Sequence, residues 1–271
     1  AYACEVFMRE AGTPPSGDSL CASPSPNHLR NARRSDTIHA HFEISGGSDM
    51  ASTTSQRRSF WTWGLESEEP TDVQRREHAA TLSERVGVEI EAPPIPRAED
   101  LNLRPPRVEA PASIASFCYT DNYERALHSH SADDRDPIVF GICPNPPDIV
   151  AHPSNEQELE AVLDWCDSNN YTAIPFGGGS SVVGGVTPPE DRDVVVTIDM
   201  DRFDQVLEVD ETSRAARIQA GVFGPALEDQ LRPHGYTLRH FPQSFSGSTL
   251  GGWIATRSDG HYATNTTHID E

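Results

Sequence analysis

A triplet of glycines between an apolar segment and two serines carries the clearest chemistry in this sequence. The run 175–182 reads PFGGGSSV. Glycine has no side chain to hold a ligand away from the backbone, and it takes backbone angles that other residues avoid. Successive N–H groups in such a turn form a concave nest that binds anions, typically phosphate. With the hydroxyl groups of Ser180 and Ser181 at its rim, the run predicts a loop that holds a pyrophosphate.

Two common phosphate-binding loops do not fit this run. A P-loop requires Gly-Lys-Ser/Thr, and the chain contains no lysine. A dinucleotide fingerprint requires a third glycine and a following helix, whereas Val182 stands at the third position and Pro188 would break the helix. Asp199 lies near the spacing of a ribose-binding acid, but the match is weak without that helix. For this run alone, an ordinary glycine-rich turn stays the alternative.

A second segment, residues 242–256, repeats the same chemistry. Its glycines, Gly251 and Gly252, permit close approach of the backbone, and Ser244, Ser248 and Thr249 offer hydroxyl groups. The apolar residues that follow predict a short helix, whose start would aim unpaired N–H groups at an anion. Two such loops would close on one extended ligand from opposite sides.

Together the two runs resemble the FAD-binding domain of the vanillyl-alcohol oxidase superfamily, and within it the alkyldihydroxyacetonephosphate synthase family. The family pattern is roughly P-x-GGG-(S/T)-S, followed by P-(D/Q)-S-x-x-x-S-(S/T)-(V/L)-GG-W-(I/V)-(A/S)-T-R. It is matched here by residues 175–181 and 242–257. The likeness extends upstream through residues 146–153, an arginine–histidine segment at 123–130, and the tryptophan–glycine sequence at 61–64.

The resemblance implies that the cofactor is FAD. Some members of the superfamily attach FAD through a histidine in the first loop, but Pro175 and Phe176 stand before the glycines here, so we expect non-covalent FAD. The residues expected to contact it are Pro175, Phe176, Gly177, Gly178, Gly179, Ser180, Ser181, Val182, Pro242, Gln243, Ser244, Ser248, Thr249, Gly251, Gly252, Thr256, Arg257 and Ser258.

The implied reaction is a redox-neutral exchange of acyl for alkyl on dihydroxyacetone phosphate, in ether-lipid synthesis. The substrate is then a small or lipid-derived molecule, and the family suggests a homodimer. The alternatives are a net FAD-linked oxidoreductase, such as a 2-hydroxyacid dehydrogenase, and an inactive flavin-binding fragment. The family's third flavin-contacting stretch and its substrate-capping domain, with the catalytic residues, have no counterpart before Glu271. We therefore expect a fragment truncated at its C-terminus.

Composition excludes several other classes of function. The chain of 271 residues carries a net charge of −21, which argues against a nucleic-acid-binding protein because such proteins need a basic surface. No apolar run has the length of a membrane span and no signal peptide is evident, so we expect a cytoplasmic protein without a transmembrane segment. The five cysteines lack metal-site spacing, and His128 and His130 have no evident third ligand nearby, so no metal is expected.

The pattern of elements predicts an α+β fold in three parts. Residues 1–49 form a disordered or non-native leader, residues 50–136 a helical N-terminal extension, and residues 137–271 a PCMH-type FAD-binding domain of two small α/β subdomains. Predicted elements are helices at 72–86 and 121–130, a strand at 149–152, a helix capped by Ser154, strands at 172–176 and 194–198, a hairpin of 206–209 with 216–220, and a helix at 225–231.

Overall fold

The described part of this chain contains both strands and helices. The computed structural model describes residues 3–10, 57–131, 136–143, 145–261 and 268–269. In these ranges the strands are β1 (Ala3–Phe7), β2 (Arg9–Glu10), β3 (Cys118–Tyr119), β4 (Ile149–Ala151), β5 (Thr172–Phe176), β6 (Val195–Asp199), β7 (Val206–Asp210), β8 (Ala215–Gln219) and β9 (Tyr236–Thr237). The α-helices are α1 (Asp72–Val86), α2 (Asn122–Leu127), α3 (Asp136–Val139), α4 (Glu156–Asn169), α5 (Gly224–Leu231) and α6 (Leu250–Thr256). The α+β class predicted from the sequence is confirmed.

The first sheet has the order β3-β4-β6-β5. Its strands β4, β6 and β5 run parallel, with α4 as the crossover between β4 and β5. Residues of α4, including Val162 and Cys166, pack against the sheet residues Ile149 and Val196. Because parallel strands end at one edge, Phe176 of β5 lies beside Asp199 of β6. This edge delivers the glycine run.

Helix α4 begins one residue later than the sequence predicts. Asn155, and not Ser154, is the N-cap, and its side chain accepts a hydrogen bond from the Glu158 backbone. The N–H and hydroxyl of Ser154 instead donate to the Glu158 carboxylate. The error has a local cause, since either of two adjacent polar residues can cap a helix. Leu163, placed on the apolar face by its spacing, is 44% exposed.

The second sheet has the order β1-β8-β7 and packs against α5 and α6. The β7–β8 hairpin predicted from the sequence is confirmed. Strand β1 pairs antiparallel with β8, so the prediction of a disordered leader is wrong for residues 3–10. Val6 and Met8 are buried while Phe7 between them is 73% exposed, which is the alternation of a half-buried strand. The rest of the leader, residues 11–49, lies outside the described residues.

The extension contains a core of its own. Helix α1 has the predicted bounds, with a capping box of Thr71 and Gln74 at its start and Gly87 in the left-handed conformation at its end. Helix α2 is shorter than predicted. The core residues are Phe60, Trp61, Leu101, Ala126, Leu127 and Ile138. Among the described residues, no helix combines the length and hydropathy needed to cross a bilayer.

Candidate functional site

The two glycine-rich loops meet. A Cβ atom built on Gly177 would overlap the Thr249 side chain, and one built on Gly178 would overlap the carbonyl oxygen of Gly247. The same Cβ on Gly178 would also lie 3.0 Å from the Cα of Ser248. Only glycine permits this approach of one backbone to the other. The two loops are therefore in direct contact where the first leaves β5 and the second enters α6, and this junction is the candidate ligand site, called the cleft from here on.

The first loop presents backbone donors that have no acceptor. In the described part of the chain, no oxygen accepts a hydrogen bond from the backbone N–H groups of residues 178–182. Gly179 is buried and has a φ of +64°, so the backbone changes hand within the run. Buried N–H groups are nearly always paired in native proteins, and such a change of hand is typical of an anion-binding nest. The loop thus fits a ligand with phosphate oxygens.

The two serines of this loop have different surroundings. The Ser181 hydroxyl accepts hydrogen bonds from the N–H groups of Gly185, at 2.9 Å, and Val183, at 3.4 Å, and so shapes the return of the loop. Ser180 is half-buried, and its hydroxyl has no hydrogen-bond partner among the described residues. Ser180 is therefore the serine whose hydroxyl is available to a ligand.

Ser248 stabilises the second loop from inside. Its hydroxyl donates to the Ser244 carbonyl at 2.7 Å and accepts from Nε1 of Trp253 at 2.7 Å, and the Ser244 hydroxyl lies 3.0 Å away. Ser248 is also buried. The proton of this hydroxyl is therefore used within the loop, and a contact of Ser248 with a ligand stays a prediction. Of the two residues that open the segment, Pro242 is buried and Gln243 exposed.

Helix α6 carries the remaining predicted contacts. The N–H of Gly251 donates to the Ala220 carbonyl at 2.8 Å, so Gly251 serves the packing of the helix. The N–H of Gly252 is capped by the Thr249 hydroxyl at 3.4 Å. The hydroxyl of Thr256 donates to the Gly252 carbonyl at 2.9 Å. Thr256, the last residue of α6, lies about 10 Å along the helix axis from Thr249, and Ser258 follows the C-cap Arg257.

The last two residues of β5 place their side chains on opposite faces of the sheet. Pro175 is exposed, whereas Phe176 is fully buried beneath the loop, with its ring centroid 4.4 Å from that of His128. The side chain of Phe176 thus supports the loop from below.

A buried charge cluster lies under the glycine loop; its members are Arg58, Glu124, His128, His152, Asp199 and Asp201. Arg58 donates from Nη1 to the Gly177 carbonyl at 2.7 Å and pairs through Nη2 with the Asp199 carboxylate. Asp199 also faces Nε2 of His128 at 2.6 Å and accepts from the Asp201 N–H at 3.0 Å.

The cluster shifts the acidity of its members. Burial alone would raise the pKa of Asp199, but the charge of Arg58 and the hydrogen bond with His128 outweigh it and hold that pKa well below its usual range. Burial alone would lower the pKa of His152, but hydrogen bonds with Asp201 and Glu124 raise it to about 9. The cluster therefore balances cations against carboxylates at neutral pH.

The histidine neighbours were not evident from the sequence. The side chains of Glu124 and His152 lie beside His128. The nitrogen and oxygen atoms with which these three side chains could bind a metal ion lie within 4.8 Å of one another. Each ring nitrogen of His128 faces an acceptor, the Glu124 carbonyl at 2.7 Å and the Asp199 carboxylate. His152 likewise lies between two carboxylates. His152, whose pKa is raised, can donate from each ring nitrogen to a carboxylate.

Sequence reasoning missed Arg58 and did not assign a role to Asp199, whose match to a ribose-binding acid was weak. The Asp199 carboxylate has no exposure to solvent and is turned towards Arg58 and His128, so it is not placed to bind a ribose. The usable signal was a lone acid at the end of a fully buried strand, since such an acid needs a cationic partner. No local pattern marks Arg58, which lies 141 residues from Asp199 in the sequence.

Comparison with known families identifies the region that forms the cleft. A family model described as "FAD binding domain" matches residues 147–270. Residues 147–270 are an FAD-binding domain. The cofactor of this domain is FAD, and the unpaired N–H groups of the first loop suit its pyrophosphate.

Relatives of the FAD-binding domain and its upstream extension carry the name of the synthase family. The alkyldihydroxyacetonephosphate synthase of Dictyostelium discoideum is 37% identical over 177 residues, which are 62% of this chain and 29% of that protein. A solved structure of alkyldihydroxyacetonephosphate synthase matches with a TM-score of 0.60 and 34% identity, covering 65% of this chain and 35% of the other. This chain therefore spans about a third of the length of these proteins.

A relative named as a dehydrogenase also matches. The D-lactate dehydrogenase of Archaeoglobus fulgidus is 34% identical over 112 residues, which are 41% of this chain and 24% of that protein. The FAD-binding domain alone would accommodate a match of that length, whereas the 177 residues matched in the synthase exceed it. The synthase likeness therefore includes part of the extension.

Proposed function

We propose that this protein is an FAD-dependent enzyme of the alkyldihydroxyacetonephosphate synthase type. In this role it exchanges the acyl group of acyl-dihydroxyacetone phosphate for an alkyl group from a fatty alcohol. The observation that carries the proposal is the cleft of two touching glycine loops with unpaired N–H groups, combined with a likeness to the synthases that runs beyond the FAD-binding domain.

The first loop binds the pyrophosphate of FAD in this proposal. The N–H groups of residues 178–182 and the Ser180 hydroxyl donate to phosphate oxygens, and the second loop closes the cleft at Gly247. Thr256, Arg257 and Ser258 lie farther along the extended cofactor. The bound flavin supplies the redox-active ring, while the chain binds and orients it. FAD is held without a covalent bond, because the run 175–182 contains no histidine or cysteine.

Flavin binding is tested on purified protein. We expect a flavin absorbance spectrum, and acid precipitation should release the flavin into the supernatant if it is non-covalent. Gly178→Val should abolish binding because the new side chain overlaps the Gly247 carbonyl. Ser180→Ala is the milder variant, expected to weaken FAD binding about two- to tenfold with unchanged thermal stability.

Ser168→Ala, an exposed serine in α4, is the matched control and should bind FAD normally. Unchanged FAD affinity in both Gly178→Val and Ser180→Ala would refute the placement of the cofactor.

The reaction is tested with a labelled fatty alcohol and acyl-dihydroxyacetone phosphate. Incorporation of the label into the phosphate ester supports the synthase proposal. The second candidate is a net oxidoreductase acting on a 2-hydroxyacid, favoured by the match to D-lactate dehydrogenase. Reduction of an electron-accepting dye by D-lactate, without incorporation of the alcohol, would overturn the first proposal in favour of the second.

A further inference from the structure

A short segment outside the FAD-binding domain touches both loops of the cleft. This segment, residues 57–64, lies in the N-terminal extension. Arg58 donates to the carbonyl of Gly177, 119 residues away in the sequence. At the other end of the segment, the Trp63 ring lies against Gly247, where an added Cβ atom would come within 2.5 Å of Cζ2. The segment thus contacts each loop near the point where the loops meet.

The Arg58 contact fixes the direction of a backbone donor. In a trans peptide the C=O and N–H groups point to opposite sides. With the Gly177 carbonyl held by Arg58, the N–H of Gly178 must point away from Arg58. This peptide joins two glycines, whose backbone angles are the least restricted of any residue. The hydrogen bond from Arg58 therefore restrains the orientation of the Gly177–Gly178 peptide, which has no Cβ atoms to restrict its backbone angles.

Arg58 is itself held firmly. Its side chain is 17% exposed and pairs with Asp199, which has no exposure. Asp199 in turn is fixed by His128 and by the Asp201 N–H. A continuous set of contacts thus runs from the end of β6 through Arg58 to the glycine loop.

The segment folds as a tight turn that presents its two ends together. An antiparallel bridge joins Arg58 to Leu65, and the Ser59 N–H donates to the Gly64 carbonyl at 3.0 Å. The buried Ser59 hydroxyl accepts from the Thr62 N–H at 3.0 Å. Trp63 stays 42% exposed at the tip, beside the second loop.

We propose that two residues of this segment are working parts of the flavin site: Arg58 is a positioning residue for the pyrophosphate-binding loop, and Trp63 is a positioning residue for the second loop. This inference rests on the proposed FAD binding in the cleft. It assigns to the extension a role in recognising the diphosphate of a dinucleotide.

The experiment measures dissociation constants in the full chain, by titration of the apoprotein with FAD and with ADP. The variants are Arg58→Ala, Arg58→Lys and Trp63→Ala. We expect Arg58→Ala to weaken both ligands about tenfold or more, since a charge-assisted hydrogen bond to the loop is lost. Guanidinium ion at millimolar concentration should restore much of the affinity. A role confined to overall stability predicts no such rescue.

Arg57→Ala is the matched control. It removes the same charge one position away, from a side chain that contacts Glu66 and the Tyr123 ring and forms no hydrogen bond or ion pair with the described loop residues. It should leave both dissociation constants unchanged. If Arg58→Ala fails to fold, Arg58→Lys tests the proposal instead. Lysine keeps a cation beside Asp199 but lacks the second guanidinium nitrogen that donates to the Gly177 carbonyl.

The outcomes separate this inference from the proposed function. Wild-type protein that binds FAD, with Arg58 variants of equal affinity, would overturn the role of the segment and leave the cofactor cleft standing. Wild-type protein that binds neither FAD nor ADP would overturn both. Weakened binding that guanidinium does not restore would also count against the positioning role.

Discussion

Nε2 of His128 lies 2.6 Å from the Asp199 carboxylate, and neither side chain has any exposure to solvent. This pair joins helix α2 of the extension to the last residue of β6. Its position beneath the glycine loop means that the stability of the extension and the geometry of the cofactor cleft depend on the same contacts.

Replacing Asp199 should therefore affect the whole molecule. Asp199→Asn removes the buried negative charge that pairs with Arg58 and faces His128, so the Arg58 guanidinium loses its carboxylate partner. We expect a loss of about 3–5 kcal/mol in the free energy of unfolding, as for other broken buried ion pairs. Urea unfolding measures it. Asp164→Asn, an exposed change on α4, should stay within about 0.5 kcal/mol of wild type; a similar small loss in Asp199→Asn would show that the pair contributes little.

Stability should fall as the pH rises through the range in which His152 loses its proton. Its folded pKa of about 9 exceeds the ordinary value of 6.5, because Asp201, Glu124 and the nearby Asp199 favour the cation. A group with a raised folded pKa contributes its full stabilisation below pH 6.5, and this stabilisation is lost as the pH passes 9. We expect a decrease of about 2–3 kcal/mol in the free energy of unfolding over that interval.

Unfolding in urea at a series of pH values measures this slope. His152→Gln should flatten it, whereas His78→Gln, at an exposed site on α1, should not. An equal slope in wild type and His152→Gln would contradict the role of His152.

Ser248 provides a test of how the second loop is built. Ser248→Ala removes the acceptor of the Trp253 indole N–H and the donor to the Ser244 carbonyl. Because these groups are buried or half-buried, we expect a loss of about 1–3 kcal/mol, seen as a lower urea midpoint. Ser246→Ala, at an exposed position in the same loop, should have little effect. Equal midpoints for the two variants would show that the Ser248 hydroxyl does not stabilise the loop.

Met8, the residue after strand β1, gives a test of how the N-terminal segment contributes to the fold. Met8 is 4% exposed and packs with Ile218 and Leu227 in the core of the second subdomain. Met8→Ala should lower the free energy of unfolding by about 2 kcal/mol or more, by loss of buried apolar contact. Phe7→Ala, on the exposed side of the strand, should cost much less. Similar values for the two would mean that the burial of Met8 adds nothing to stability.

Local patterns in the sequence determined much of the fold. Helix α1, strand β5 and the β7–β8 hairpin follow from capping residues, apolar runs and turn residues within a few positions of each other. The two glycine loops were likewise recognisable, because their composition is itself the property that allows close approach of two backbones. The prediction of FAD came from these loops and their resemblance to a known family.

The tertiary structure alone decided how the parts of the site support one another. Arg58 contacts Asp199 and Gly177 across more than a hundred residues of sequence. A contact between residues so far apart produces no local sequence pattern from which it could be predicted. The use of the Ser248 hydroxyl within its own loop depends on the position of Trp253. Burial, and with it the demand for charged partners, exists only once the chain is folded. Sequence therefore specified the donors of the cleft, and packing specified which groups hold them in place.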